Sequence, residues 1–447
     1  FDVDADGNED RRAEMRVRNG ELQAVVFEDG SIVCVAKVDS DESTASYSVT
    51  FDVGCVGNPE QLRFQAGLEY DDVAFEILDS DTAPDSGWSA AVTNPAFAPP
   101  IVTVDPFRLV DTRESDERLA GGAELAVGVV GRGGVPEDAK AVFLNVTAVN
   151  GSGPGFVTAY PCGFERPTAS NLNFVAGQVR PNAVLAQVGI GGEVCLFTPS
   201  DVDLVVDVNA YVPARSEVRS VPPARLLDTR DDGARRAAGS VTEIDVLDRF
   251  GVPADAAGVI LNVTAVRPVG AGFLTVFPCG EELPTASNVN YVPGDVVPNA
   301  VVAKVGAGGA VCVFSRAETH LVVDVNGFVP SGSTVQAVRP SRVLDTRERG
   351  ARVPGQTSIE VDVLSAPGVD PNASGVVLNV TALGSVAPGF MTVYPCGTAV
   401  PTASNLNYTP SAINPNAVVA KLGDGGKVCV FVRSTAHVIV DVNGFLP

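Results

Sequence analysis

The feature that most constrains this chain is a threefold internal repeat with a step of 117 residues. Asp111-Thr112-Arg113 returns as Asp228-Thr229-Arg230 and as Asp345-Thr346-Arg347. Leu144 to Ala148 (Leu-Asn-Val-Thr-Ala) returns at Leu261 and Leu378, and Pro161-Cys162-Gly163 returns at Pro278 and Pro395. Pro167-Thr168-Ala169-Ser170-Asn171 returns at Pro284 and Pro401, and Asp207-Val208-Asn209 at Asp324 and Asp441. Solenoid units of roughly 20–50 residues need neighbours to bury a core; a period this long has the length of a whole domain. The boundaries that follow are residues 1–100 for a non-repeating N-terminal β domain, 101–217 for copy 1, 218–334 for copy 2 and 335–447 for copy 3.

Within copy 1, eight strand-like runs alternate with Gly- and Pro-containing turns: 107–112, 124–129, 141–149, 156–160, 171–175, 183–188, 193–198 and 203–212. Val-rich alternation over short runs is the signature of half-buried strands. Eight such strands predict an all-β fold of tandem β-sandwich or jelly-roll-like domains, with a closed barrel as the other option. The first 100 residues carry their own alternation, at 31–38 and 46–53, and read as a smaller fourth β domain. Pro-containing joints at Pro222-Pro223 and Pro340 predict short, semi-rigid connections and copies that each fold alone.

The eight cysteines fall into the pairs Cys34/Cys55, Cys162/Cys195, Cys279/Cys312 and Cys396/Cys429. The three repeat pairs share a spacing of 33 and lie among apolar residues. Two cysteines per copy and only two histidines in the chain suit disulfides rather than zinc. Disulfides place the chain in an oxidising compartment, secreted or on a cell surface. Phe1 stands where a start Met is expected and no signal peptide is visible, so a trimmed, exported product is the expectation.

The acids number 54 against 31 bases, a net charge of −23. Such a surface repels phosphate backbones and anionic membranes, so neither nucleic acid nor membrane insertion is expected. No run of about 18 apolar residues is present.

Three constellations could carry chemistry. Asp2, Asp4 and Asp6, with Gly7, Asn8 and Asp10, space oxygen ligands as a calcium loop does. The bidentate Glu of a helix-loop-helix site is missing, since Ala13 holds that place. Calcium is therefore the one cofactor expected, with a metal-free acidic terminus as the competing reading. The second is Asp111 with Arg113, and its copies Asp228 with Arg230 and Asp345 with Arg347, two apart and so on one face of a strand. An ion pair or turn lock, together with Asp207, Asp324 and Asp441 of the last strand, outweighs catalysis there. The third is a set of amides, Asn145, Asn171, Asn173, Asn182 and Asn209, read as buried ties between turns and strands rather than a sugar site. The sequon at Asn145-Val146-Thr147 lies inside an apolar strand and is discounted.

The combined pattern Arg225 to Arg230, Leu261 to Ala265, Pro278-Cys279-Gly280, Ala286-Ser287-Asn288 and Val323 to Phe328 resembles a repeat domain of secreted actinobacterial proteins. That resemblance covers residues 101–447. It implies export and a surface or accessory role, and supplies no catalytic residues.

No catalytic residue is assigned. His320 and His437 are equivalent, but Asp203 holds their place in copy 1, which excludes a shared His triad; no G-x-S-x-G, P-loop or dinucleotide fingerprint is present. Two functions are expected. The first is a non-enzymatic extracellular structural protein of a filament, layer or stalk, whose partner is itself. The second is a carbohydrate- or cell-wall-binding adhesin with three weak sites. No wall-anchoring tail is visible.

Overall fold

The computed structural model describes residues 100–447, apart from 115, 116, 215 and 411, and the backbone of eight strands within residues 12–93. Contacts divide the chain into two units, Phe1–Pro99 and Pro100–Pro447. In the first, β1 (Arg12–Arg18), β2 (Glu21–Glu28), β3 (Ser31–Asp41) and β4 (Ser46–Thr50) form an antiparallel sheet in that order. Shorter pairs join β5 (Gln61–Leu62) to β8 (Val92–Thr93), and β6 (Ala66–Asp71) to β7 (Ile77–Ala83). Cys34 belongs to β3, described for its backbone alone, and Cys55 and the Asp2–Asp10 loop lie outside the described residues.

The second unit repeats one strand plan three times. Copy 1 contains β9 (Val102–Asp111), β10 (Glu124–Gly128), β11 (Ala141–Val149), β12 (Gly155–Pro161), β13 (Leu172–Phe174), β14 (Val179–Gln187), β15 (Glu193–Phe197) and β16 (Asp203–Val212). Copy 2 contains β17 (Arg219–Asp228), β18 (Ser240–Asp245), β19 (Ala256–Val266), β20 (Gly272–Pro278), β21 (Val289–Tyr291), β22 (Val296–Lys304), β23 (Ala310–Ser315) and β24 (His320–Pro330). Copy 3 contains β25 (Gln336–Asp345), β26 (Thr357–Asp362), β27 (Gly375–Leu383), β28 (Gly389–Pro395), β29 (Leu406–Tyr408), β30 (Ile413–Lys421), β31 (Lys427–Val432) and β32 (His437–Leu446). The helical turns among the described residues are three-residue 3₁₀ turns, such as Ile190–Gly192. None is long enough to cross a membrane.

Each copy makes two separate four-stranded antiparallel sheets rather than one closed barrel. In copy 1 the orders are β14-β11-β16-β9 and β10-β15-β12-β13, and copies 2 and 3 repeat both. The two sheets close on a shared core. Val142, Leu144, Val146 and Ala148 of β11 meet Val127, Val157, Leu172, Val194 and Leu196 of the other sheet. Pro181 is tolerated in β14 because that strand is a sheet edge.

All nine residues of β11 are buried, although its pattern alternates. One face supplies the sandwich core. The other carries Ala141, Phe143 and Asn145, and it is covered by the other copies. A fourth core gathers Phe143, Leu185 and Val212 of copy 1, Ile260, Val302 and Val329 of copy 2, and Val377, Val419 and Leu446 of copy 3. The edge strands β14, β22 and β30 touch one another pairwise around this core. The six sheets thus form a ring, and the copies share a core that none of them completes alone. Each copy keeps its own sandwich core, and its outward apolar residues serve the ring.

Candidate functional site at the junction of the copies

The Asp-Thr-Arg motif is built at the end of the first strand of each copy. In copy 1, β9 ends at Asp111, and Arg113 lies in the turn that follows, not on the same strand face as the spacing suggested. The Arg113 backbone N–H donates to Asp111 Oδ1 at 3.2 Å, and its guanidinium grips both carboxylate oxygens at 2.7 and 2.5 Å. Asp228 with Arg230 and Asp345 with Arg347 repeat the arrangement. The outer arginines remain about half exposed, at 48%, 51% and 49% of the side chain. The hydrogen bonds and charge of these arginines hold Asp111, Asp228 and Asp345 below the usual carboxylate range.

The cation beside the last-strand aspartates is a different residue. Asp207 of β16 lies opposite Arg108 of β9, and Arg108 binds both its oxygens while also reaching Asp111 at 3.0 Å. Arg225 joins Asp324 and Asp228 in the same way, and Arg342 binds Asp441 at 2.8 and 3.1 Å. Each copy therefore has a charge relay from solvent inward: Arg113, Asp111, Arg108, Asp207. Sequence reasoning missed Arg108, Arg225 and Arg342. Their signal was available, because a residue opposite a buried carboxylate on the neighbouring strand is its natural counter-charge. Burial outweighs the arginine and pushes Asp207, Asp324 and Asp441 upward in pKa.

In copies 1 and 3 the relay ends on a neighbouring copy. Asp207 accepts the Ser404 N–H of copy 3 at 3.4 Å, and Asp441 accepts the Ser287 N–H of copy 2 at 3.1 Å. Beside it lies a closed cycle of amides. Asn182 Nδ2 donates to Asn262 Oδ1 at 2.9 Å, Asn299 to Asn379 at 2.7 Å, and Asn416 to Asn145 at 2.7 Å. The same three residues accept, through Oδ1, the N–H groups of Ala300, Ala417 and Ala183 at 3.2, 3.0 and 2.9 Å. Copy 1 thus bonds to copy 2, copy 2 to copy 3, and copy 3 to copy 1. In return Asn145, Asn262 and Asn379 donate to the carbonyls of Ser404, Ser170 and Ser287. These six amides are at most 1% exposed. Asn145, the discounted sequon position, is one of them. Asn171 binds within its own copy, to the Ala159 N–H at 2.7 Å, and Asn209 reaches Asn405 of copy 3 at 3.4 Å.

One column breaks the threefold sameness. Arg180, Val297 and Asn414 are equivalent. Arg180 is 8% exposed, reaches Asn414 Oδ1 at 3.4 Å and leaves its Nε without a partner. Burial lowers its pKa, against the field of Asp295.

Disulfides staple the outer sheets. Cys162–Cys195, Cys279–Cys312 and Cys396–Cys429 join the end of the fourth strand to the seventh, with Cα separations of 4.9, 5.0 and 4.9 Å. Glycine is required beside each, because a Cβ on Gly189, Gly306 or Gly423 would lie 2.2 Å from a cystine backbone nitrogen. On the same outer face, half-buried phenylalanines pair at Phe156–Phe197, Phe273–Phe314 and Phe390–Phe431, with ring centroids 6.1, 5.9 and 6.0 Å apart. Arg166 stacks 3.5 Å over Phe197.

The histidines serve turns. Thr229 Oγ1 accepts the Leu321 N–H at 2.9 Å and lies 3.1 Å from His320 Nδ1, and Thr346 repeats this with Val438 and His437. In copy 1 Asp203 takes the histidine's place against Thr112 at 3.4 Å. Among the described residues no group of three or more His, Cys, Asp or Glu is placed to hold a metal.

No family model matches the chain, and no curated protein does. Among solved structures, the chain is similar to one described as the triple jelly roll fold and turret assembly in an archaeal virus. The identity is 8%, over 88% of this chain and 93% of that one, with a TM-score of 0.18. Likeness at that level fixes neither fold nor function.

Proposed function

We propose that this protein is a non-enzymatic extracellular structural element, a rigid scaffold of a surface filament, layer or stalk. Each copy is read as a jelly-roll sandwich. That reading is supported by a strand order in which first, eighth, third and sixth strands form one sheet, and second, seventh, fourth and fifth the other. The observation that carries the function is the amide cycle: its polar groups are spent on each other, out of reach of solvent, and their work is to fix three bodies in one arrangement. Three disulfides in the described unit suit an oxidising, extracellular setting. The resemblance to secreted actinobacterial repeat proteins agrees with that setting. Calcium at Asp2, Asp4, Asp6, Asn8 and Asp10 remains part of the proposal, as a clamp on the N-terminal unit.

Within one chain the lateral surfaces of the copies are used in the ring, so assembly between closed rings employs the ring's faces or the N-terminal unit, and exchange of copies between chains requires a ring to open. Electron microscopy of material purified without denaturant tests this. Regular polymers or sheets are expected; a lone monomer at every concentration contradicts it.

A second reading, a carbohydrate- or cell-wall-binding adhesin, draws on the outer phenylalanine pairs. Half-exposed aromatic faces repeated three times are suited to weak stacking on sugar rings with avidity. Pull-down on cell-wall glycan by the intact chain, against a variant with Phe156, Phe273 and Phe390 changed to Ser, separates the two readings.

A further inference from the structure

We propose that the junction surface of each copy also accepts a copy from another chain, so that the binding partner of this repeat is the repeat itself. Three observations lead there. First, copies 3 and 1 are not consecutive in the chain, yet their junction has the same amide bonds as the other two. Asn416 to Asn145 measures 2.7 Å, against 2.7 and 2.9 Å at the consecutive junctions, and Asn416 to Ala183 measures 2.9 Å, against 3.0 and 3.2 Å. The interface therefore forms without a joint across it. Second, the amides that make it are the same residue type in every copy, whereas the exposed position Phe164 aligns with the exposed Glu281 and Thr398. Third, the contact is head-to-tail, and such an interface accepts any body carrying the complementary surface, from the same chain or another.

Arg180 makes this acceptance selective. Equivalent positions meet across the junction, since Arg180 contacts Asn414. A ring with two copies of type 1 side by side would bring two buried guanidiniums together, each short of a counter-charge, which low-dielectric surroundings penalise heavily. Copy 2 has Val297 there and copy 3 has Asn414, and neither raises such a barrier. Arg180 thus limits each ring to a single copy 1, while copies 2 and 3 can be drawn from a neighbouring chain.

The test uses the full chain with a site-specific protease sequence inserted into each joint, after Ala214 and after Ser331, cut after folding with disulfides intact. Native mass spectrometry should show the cut pieces held in one particle of uncut mass. After incubation with a ¹⁵N-labelled cut preparation just below the melting midpoint, rings of mixed label should appear, each with one copy 1. In R180V, rings with two copies of type 1 should appear as well. Dissociation into single-copy pieces at micromolar concentration overturns the proposal, as do rings that keep only their own pieces. Wild-type rings with two copies of type 1 overturn the role of Arg180. If one insertion prevents folding, the other joint cut alone gives the same readouts.

Discussion

Replacing Asn299 by Ala isolates what the amide cycle contributes. Asn299 donates to Asn288 O at 2.6 Å and to Asn379 Oδ1 at 2.7 Å, and accepts the Ala417 N–H at 3.0 Å. Asn299 itself is fully buried, and Asn288 and Asn379 are each 1% exposed, so water cannot replace the lost bonds freely. Alanine leaves two acceptors and one donor unpaired. At about 1–3 kcal/mol for each buried orphan, the loss is at least about 3 kcal/mol. That exceeds the roughly 1 kcal/mol at the centre of single-substitution effects. The assay is urea unfolding followed by far-UV circular dichroism, with Asn372→Ala, an exposed loop position, as the control expected within about 0.5 kcal/mol of wild type. N182A and N416A should behave like N299A, because the cycle treats the three alike. A loss in N299A no larger than in the control would refute the reasoning, since the cycle would then add nothing to folding.

Other consequences follow from the charges and cystines. Arg225→Ala leaves Asp324, 2% exposed in its side chain, without a cation, and should destabilise by roughly 3–5 kcal/mol; Asp324→Asn should lose less, because Arg225 retains Asp228 at 2.8 Å. On acidification from pH 7, Asp207, Asp324 and Asp441 have raised folded pKa values, so the stability they give grows as they take up protons. Asp111, Asp228 and Asp345 have lowered values, so theirs is present above about pH 4, near the unfolded carboxylate value, and is lost as pH falls further. Calorimetry across pH should show a shallow rise and then a fall, with the fall flattened in D111N/D228N/D345N; an unchanged profile in that variant contradicts the assignment. Removing Cys279–Cys312 as paired alanines should cost about 3–4 kcal/mol by the chain-entropy account, read as a lowered urea midpoint.

The strand plan was largely legible, because period-two Val alternation broken by Gly and Pro is a local signal. The runs 141–149 and 203–212 agree with β11 and β16 to the residue. The three repeat cystines were legible for the same reason, since a fixed spacing in three copies leaves one pairing per copy. The strand β14 begins at Val179, earlier than the expected 183, because Arg180-Pro181-Asn182 looks like a loop when read alone. It becomes a strand only because β11 pairs along its whole length and the other copies cover its outward face. The ring itself was not legible. Asn145 and Asn182 looked like ties within one copy, and nothing local says that the acceptor of Asn182 lies 80 residues away in the next copy. The missing clue was in β11: a strand whose outward face carries Phe143, Asn145 and Thr147, with no Lys or Glu, has no face fit for water.

Residues 100–447 close into a ring rather than string out as three bodies. Small-angle X-ray scattering on that unit decides it directly. A single compact body of this length has a radius of gyration of about 20 Å; three bodies of about 13 Å each, placed end to end, exceed roughly 30 Å. The ring predicts a value near the first and a single-peaked distance distribution. A value near the second, with peaks at the spacing of separate bodies, would contradict it.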